Sequence, residues 1–64
     1  MRIRVRELRM QKGISIRELS KLAGISKGSV ENMESESPNP HLGTLCKVAE
    51  ALNVKLLELI DEEE

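Results

Sequence analysis

No phenylalanine, tryptophan or tyrosine occurs in this 64-residue chain. Its core must therefore be built from aliphatic side chains and methionine, a composition that suits short helices packed on one another. Alternating β-branched runs are also missing, so the sequence predicts no strand anywhere. A single cysteine, Cys46, excludes an internal disulfide. It lies among Leu45, Val48 and Ala49, which predicts a buried thiol in a reducing compartment, with a redox sensor as the alternative. There is no run of about 18 apolar residues and no signal peptide with an apolar centre, so a cytoplasmic protein is expected. Repeats and low-complexity segments are absent. Paired carboxylates in an apolar setting, a Ser/His/Asp set and a phosphate-cradling glycine loop are absent too, which argues against an enzyme. His41 has no Cys or His at ligand spacing, so no metal is expected, nor any cofactor.

A chain of this length makes one domain, expected over residues 1–60 with an acidic tail at 61–64. It buries only about 60% of its unfolded surface, so its stability is marginal unless it dimerises. The net charge of −1 hides a strong asymmetry. Residues 1–28 carry eight Lys/Arg against two Glu, and residues 29–64 carry two Lys against nine acids. Such a chain is a dipole with one basic face, and the local field outweighs the total. The plainer alternative is that Arg2, Arg4, Arg6 and Lys12 only solvate the first helix.

Residues 15–34 hold the densest local signals. Ser15 and Glu18 form a capping box at the start of a helix. Leu19, Leu22 and Ala23 follow at helical spacing. Gly24 supplies the left-handed residue that ends this helix, and Ser26 caps the next one, whose buried side is Val30 and Met33. Small Ser20 lets the two helices cross closely. Helices are expected at 2–12, 16–23, 27–34, 42–52 and 56–61. The expected core is Leu8, Leu19, Leu22, Ile25, Val30, Met33, Leu45, Val48 and Leu52, with Val5 and Ile3 also facing inward. Asn53 stands where the fourth helix needs a left-handed residue. Four apolar residues within 56–60 exceed what one face of a short helix buries, which predicts a homodimer contact centred on Leu56, Leu59 and Ile60.

The order Leu8-Arg9, Gly13-Ile14-Ser15, Leu19, Gly24-Ile25-Ser26, Val30, Glu34, Asn39-Pro40, Leu45 and Ala51-Leu52-Asn53-Val54 resembles the lambda-repressor-like (Cro/cI, XRE-type) helix-turn-helix family. The resemblance covers about residues 3–60. It implies an all-α, compact five-helix DNA-binding domain with the helix-turn-helix at helices 2 and 3, and a second motif helix that enters the major groove. Arg9 and Glu34 match a pair that ties helix 1 to the end of helix 3, a structural rather than DNA-reading role.

The same resemblance makes Lys27, Gly28, Ser29 and Asn32 the base readers, beside the cap residue Ser26. Lys27 suits a guanine edge or a phosphate, and Asn32 suits an adenine edge; an ordinary solvated residue is the alternative for Asn32. Asn39 and His41 stand where family members touch the sugar-phosphate backbone. Departures are visible as well. Ile16 replaces the usual phosphate-clamping glutamine, so either Arg17 takes over that contact or the site is weaker, with Ile16 stapling against a neighbour as the plainer alternative. Glu36 replaces a usual glycine, so it is either strained at positive φ or the helix exits differently. The functional expectation is a sequence-specific double-stranded DNA-binding transcriptional regulator of repressor type, a homodimer on a palindrome. The alternative, motivated by Ile16, Gly28, Glu31 and Glu36, is an antitoxin-like or adaptor module with a protein partner.

Overall fold

The computed structural model describes residues 2–61. Five helices follow one another: α1 (Val5–Gln11), α2 (Ile16–Ala23), α3 (Lys27–Met33), α4 (Leu42–Ala51) and α5 (Leu56–Leu59). The all-helical expectation needs one correction. Two short strands, β1 (Arg2–Ile3) and β2 (Ile60–Asp61), pair antiparallel with Arg2 opposite Asp61 and Ile3 opposite Ile60. The ladder continues into the helices, because the Arg4 N–H donates to the Leu59 carbonyl at 2.7 Å. The Arg4 guanidinium also donates to the Glu58 carbonyl at 3.2 Å. Helix 1 therefore starts at Val5 rather than at residue 2, and α5 ends at Leu59. Residues 62–64 of the expected acidic tail lie outside the described residues.

Helix ends are set by the local signals. The Ser15 hydroxyl accepts from the Glu18 N–H at 3.0 Å, and Glu18 accepts in return from the Ser15 N–H at 2.8 Å. Gly24 has φ 69°, and the Ile25 N–H closes the turn on the Ser20 carbonyl at 3.0 Å. This six-to-one bond is the Schellman closure, and only a left-handed residue permits it. Asn53 does the same after α4 at φ 59°, with the Val54 N–H on the Ala49 carbonyl. At α5 the Glu58 carboxylate accepts from the Lys55 N–H at 2.9 Å.

The core joins Ile3, Val5, Leu8, Leu19, Val30, Met33, Leu45, Val48, Ala49, Leu52 and Leu59. Val30 is fully buried where α2 and α3 cross, and Ser20 is the buried small residue that permits the crossing. Ile25 is half-buried against this core, as is Ile16, which packs rather than binds.

Three expectations fail here. Leu22 is 63% exposed, because α2 turns the arc holding Leu19, Ser20 and Ala23 inward, and Leu22 falls beside it. Cys46 is exposed for the same reason: Leu45, Val48, Ala49 and Leu52 centre the inner stripe of α4, and Cys46 lies about a quarter-turn away. Leu59 is completely buried in its own chain, so it is not available to a second copy. The apolar residue that α5 leaves outside is Leu57, 83% exposed, with Leu56 and Ile60 half-buried beside it.

Candidate nucleic-acid interface

α3 is held rigidly from behind. The Arg9 Nε donates to Glu34 Oε2 at 2.8 Å, and Arg9 Nη2 donates to Glu34 Oε1 at 3.1 Å. A third bond runs from Arg9 Nη1 to the Ile14 carbonyl at 2.9 Å. The two side chains are only 12% and 9% exposed. One arginine thus ties α1, the turn before α2 and the end of α3. The carboxylate hydrogen bond raises the Arg9 pKa further above its ordinary value, outweighing the opposite effect of burial.

The front of α3 is polar and open. The Ser26 hydroxyl caps the helix by accepting from the Ser29 N–H at 3.1 Å, and the two hydroxyls lie 2.9 Å apart. Ser26, Gly28, Ser29, Asn32, Asn39 and His41 line one shallow groove of about 270 Å³ with Pro40 and Thr44. The fold therefore brings together six of the eight expected DNA-contact residues, although 15 positions separate the first from the last. Thr44 was not anticipated. The available signal was its position one turn after His41, at the start of α4.

Lys27 and Arg17 do not line this groove. Both are exposed, and neither has an ion-pair partner among the described residues. Each opens its helix, Arg17 as the second residue of α2 and Lys27 as the first of α3. Ser15 satisfies the Glu18 N–H, leaving the first-turn N–H groups of Ile16 and Arg17 as the open donors of α2. Such donors beside a cation suit a phosphate oxygen.

The exit from α3 departs from the glycine-based pattern. Among the described residues, Asn53 is the only non-glycine at positive φ, so Glu36 is not strained and the helix leaves by another route. That route is built by Asn32. Its carbonyl accepts from both the Ser35 N–H, at 3.1 Å, and the Ser35 hydroxyl, at 2.6 Å. Its side-chain Oδ1 accepts from the Asn39 N–H at 2.9 Å. The adenine contact expected of Asn32 would use the second lone pair of this same oxygen. Among the described residues no group of three or more His, Cys, Asp or Glu is arranged to hold a metal ion. No helix of the described chain is long and apolar enough to cross a membrane.

Comparison with known proteins agrees with this geometry. The family described as Helix-turn-helix matches residues 5–59. An uncharacterized HTH-type transcriptional regulator of Archaeoglobus fulgidus is 33% identical over 66 residues, covering 100% of this chain and 94% of that protein. SinR, an HTH-type transcriptional regulator of Bacillus subtilis, is 35% identical over 60 residues, covering 92% of this chain and 54% of SinR. The chain thus spans about half the length of SinR, and a third or less of several other curated relatives. The crystal structure of the restriction-modification controller protein C.AhdI from Aeromonas hydrophila superposes with a TM-score of 0.83 at 37% identity, covering 89% of this chain and 86% of that one.

Proposed function

The chain belongs to the lambda-repressor-like helix-turn-helix family, and on that premise we propose that it is a sequence-specific double-stranded DNA-binding transcriptional regulator, of repressor type. It binds a palindrome as a homodimer in the cytoplasm, with α3 in the major groove, and it is not an enzyme. One observation carries this reading. Ser26, Ser29, Asn39, His41 and Thr44 converge on one groove at the front of α3, and the unpaired cations Lys27 and Arg17 stand at the helix starts.

The division of labour follows from chemistry. Lys27 and Arg17 are exposed charges on flexible stems and engage phosphates. Ser29 and the polar groups of Asn39, His41 and Thr44 donate to phosphate or base edges. Gly28 has no side chain to hold α3 away from the duplex, so the backbone approaches closely. Arg9 and Glu34 stay out of contact and set the pose of α3. The two-fold contact uses the exposed side of α5 around Leu57, with Leu56 and Ile60.

The test is a titration of the purified chain against labelled random-sequence duplexes at low and rising salt, followed by selection from a random pool. Binding that weakens log-linearly with salt, and enrichment of a two-fold symmetric sequence, is the expected result. No binding even at low salt overturns the proposal and leaves the antitoxin-like or adaptor reading, for which the exposed Leu22, Leu42 and Leu57 would supply a protein-binding surface.

A further inference from the structure

We infer that Asn32 is a positioning residue for DNA binding: its side chain holds the loop after α3 in the pose from which Asn39 and His41 reach the sugar-phosphate backbone. The inference rests on the DNA-binding reading above. It gives Asn32 a task that does not depend on which base the residue faces.

Ser35 closes the end of α3 on the Asn32 carbonyl, through its N–H and its hydroxyl. Beyond Ser35 the loop is attached at a single point, where the Asn39 N–H donates to Asn32 Oδ1 at 2.9 Å. Among the described residues, this is the only hydrogen bond made by any residue from Glu36 to Pro40. Its acceptor is the amide oxygen, because a backbone N–H can only donate. The sequence leaves no other donor nearby. Pro38 and Pro40 have no N–H, so Asn39 carries the one main-chain donor of the three residues before His41.

The prolines make this one bond effective. Each fixes its own φ and biases the residue before it, Ser37 or Asn39, toward extended backbone. A stretch stiffened in this way moves as a unit, so one attachment sets its direction. Pro38 and Pro40 are half-buried, but apolar contact is non-directional and does not fix that direction by itself. The loop then delivers Asn39, Pro40 and His41 to the groove that Ser26, Ser29 and Asn32 also line. The exposed His41 side chain makes no capping bond to α4, and the Asn39 side-chain amide has no partner among the described residues. Both polar groups are therefore open to a phosphate or sugar oxygen. The second lone pair and the NH2 group of Asn32 stay open as well, so the tether and a base contact coexist.

The experiment is a double-mutant cycle on a random-sequence duplex at low salt, where base identity averages out and contacts to the backbone remain. It compares the wild-type chain, Asn32→Ala, the loop variant Asn39→Ala with His41→Ala, and the combination of all three substitutions. Asn32 is exposed and alanine favours a helix, so Asn32→Ala keeps the fold. Asn39→Ala keeps the main-chain N–H, so the loop variant keeps the tether. Asn32→Ala should weaken binding by about threefold to tenfold, the worth of a hydrogen bond or so. In the loop variant the same substitution should cost less than about twofold, because the groups it positions are already gone. NMR of the free chain should show faster amide exchange at Asn39 in Asn32→Ala, and restored protection in Asn32→Asp, which supplies an acceptor again. An equal loss in both backgrounds overturns the inference, and so does no loss with Asn32→Ala. A loop variant that binds as tightly as wild type overturns it too, since the tether would have no contact to position. Unchanged Asn39 exchange in Asn32→Ala, or fast exchange in Asn32→Asp, has the same consequence. All of these leave the DNA-binding reading intact, whereas failure of the wild-type chain to bind any duplex overturns both.

Discussion

Arg9 and Glu34, 25 positions apart, meet in a bidentate contact of 2.8 and 3.1 Å that is almost closed to solvent. The pair fastens the end of α3 to α1, while the third Arg9 bond, to Ile14, orients the entry to α2. Removing Glu34 strands a guanidinium that has little access to water. Glu34→Ala should cost about 3–5 kcal/mol, with Glu34→Gln milder, since it keeps an acceptor. Arg9→Lys should also destabilise, because an ammonium cannot reproduce the forked geometry. Urea denaturation checks this, and a loss below about 0.5 kcal/mol, the range of an exposed pair, would show that the contact is not structural.

Gly28 separates stability from function. A Cβ built there meets nothing closer than the Ser26 hydroxyl oxygen at 3.9 Å, an ordinary contact. Gly28→Ala should therefore stabilise the free protein by about 0.5–1 kcal/mol, raising its melting temperature by roughly 2–8 °C. Binding to a selected duplex should weaken at the same time, since the added methyl stands between α3 and the DNA. Thermal melting and a binding titration on the same sample decide it; tighter binding would contradict the close-approach role.

Lys27 and Arg17 should behave as phosphate contacts. Lys27→Ala and Arg17→Ala are each expected to weaken all duplex sequences about equally and to reduce the salt slope by roughly one counterion. A shift in the selected sequence with Lys27→Ala would instead make Lys27 a base reader.

The two neighbouring leucines of the last helix should part company. Leu57 is 83% exposed and Leu59 fully buried. Leu57→Glu should leave the melting temperature of the monomer nearly unchanged and weaken self-association at least about tenfold, as a charge placed in an apolar contact does. Leu59→Ala should lower stability by about 2–5 kcal/mol through the cavity it leaves. Sedimentation equilibrium and denaturation distinguish the two. Unaltered association of Leu57→Glu would move the dimer contact elsewhere.

Acid sensitivity should trace in part to Glu7. The Arg4 hydrogen bond, then the Arg4 charge, and then Arg2 hold its carboxyl below the ordinary value of 4.5 despite the opposing desolvation. Arg4 Nε lies 3.2 Å and Arg2 Nη2 3.0 Å from Glu7 Oε1. A folded-state pKa below the unfolded one means that the stabilisation is complete above 4.5 and is lost as pH falls through the folded value. Glu7→Gln should therefore differ from wild type by a constant amount at neutral pH, and the two melting curves should converge in acid. A gap that persists at the lowest pH would assign the effect to packing.

The sequence alone determined the helix-turn-helix itself. Ser15 with Glu18, Gly24 and Ser26 with Ser29 act over three residues or fewer, and capping and left-handed turns need nothing from the rest of the chain. The Arg9–Glu34 pair and the polar front of α3 were legible too, through the family pattern. The tertiary structure decided what depends on distant partners. A two-residue strand has no period to read, so the pairing of Ile3 with Ile60 arises only when the folded helices bring the termini together. Periodicity places Leu22 and Cys46 near an apolar face, but the docking angle of α2 and of α4 leaves both in solvent. Leu57 and Leu59 look alike in sequence and differ only by which side of α5 meets the core. The Asn32–Asn39 bond belongs to this second group: seven positions separate the two residues, and only the path of residues 35–41 brings the Asn39 N–H to the Asn32 amide oxygen.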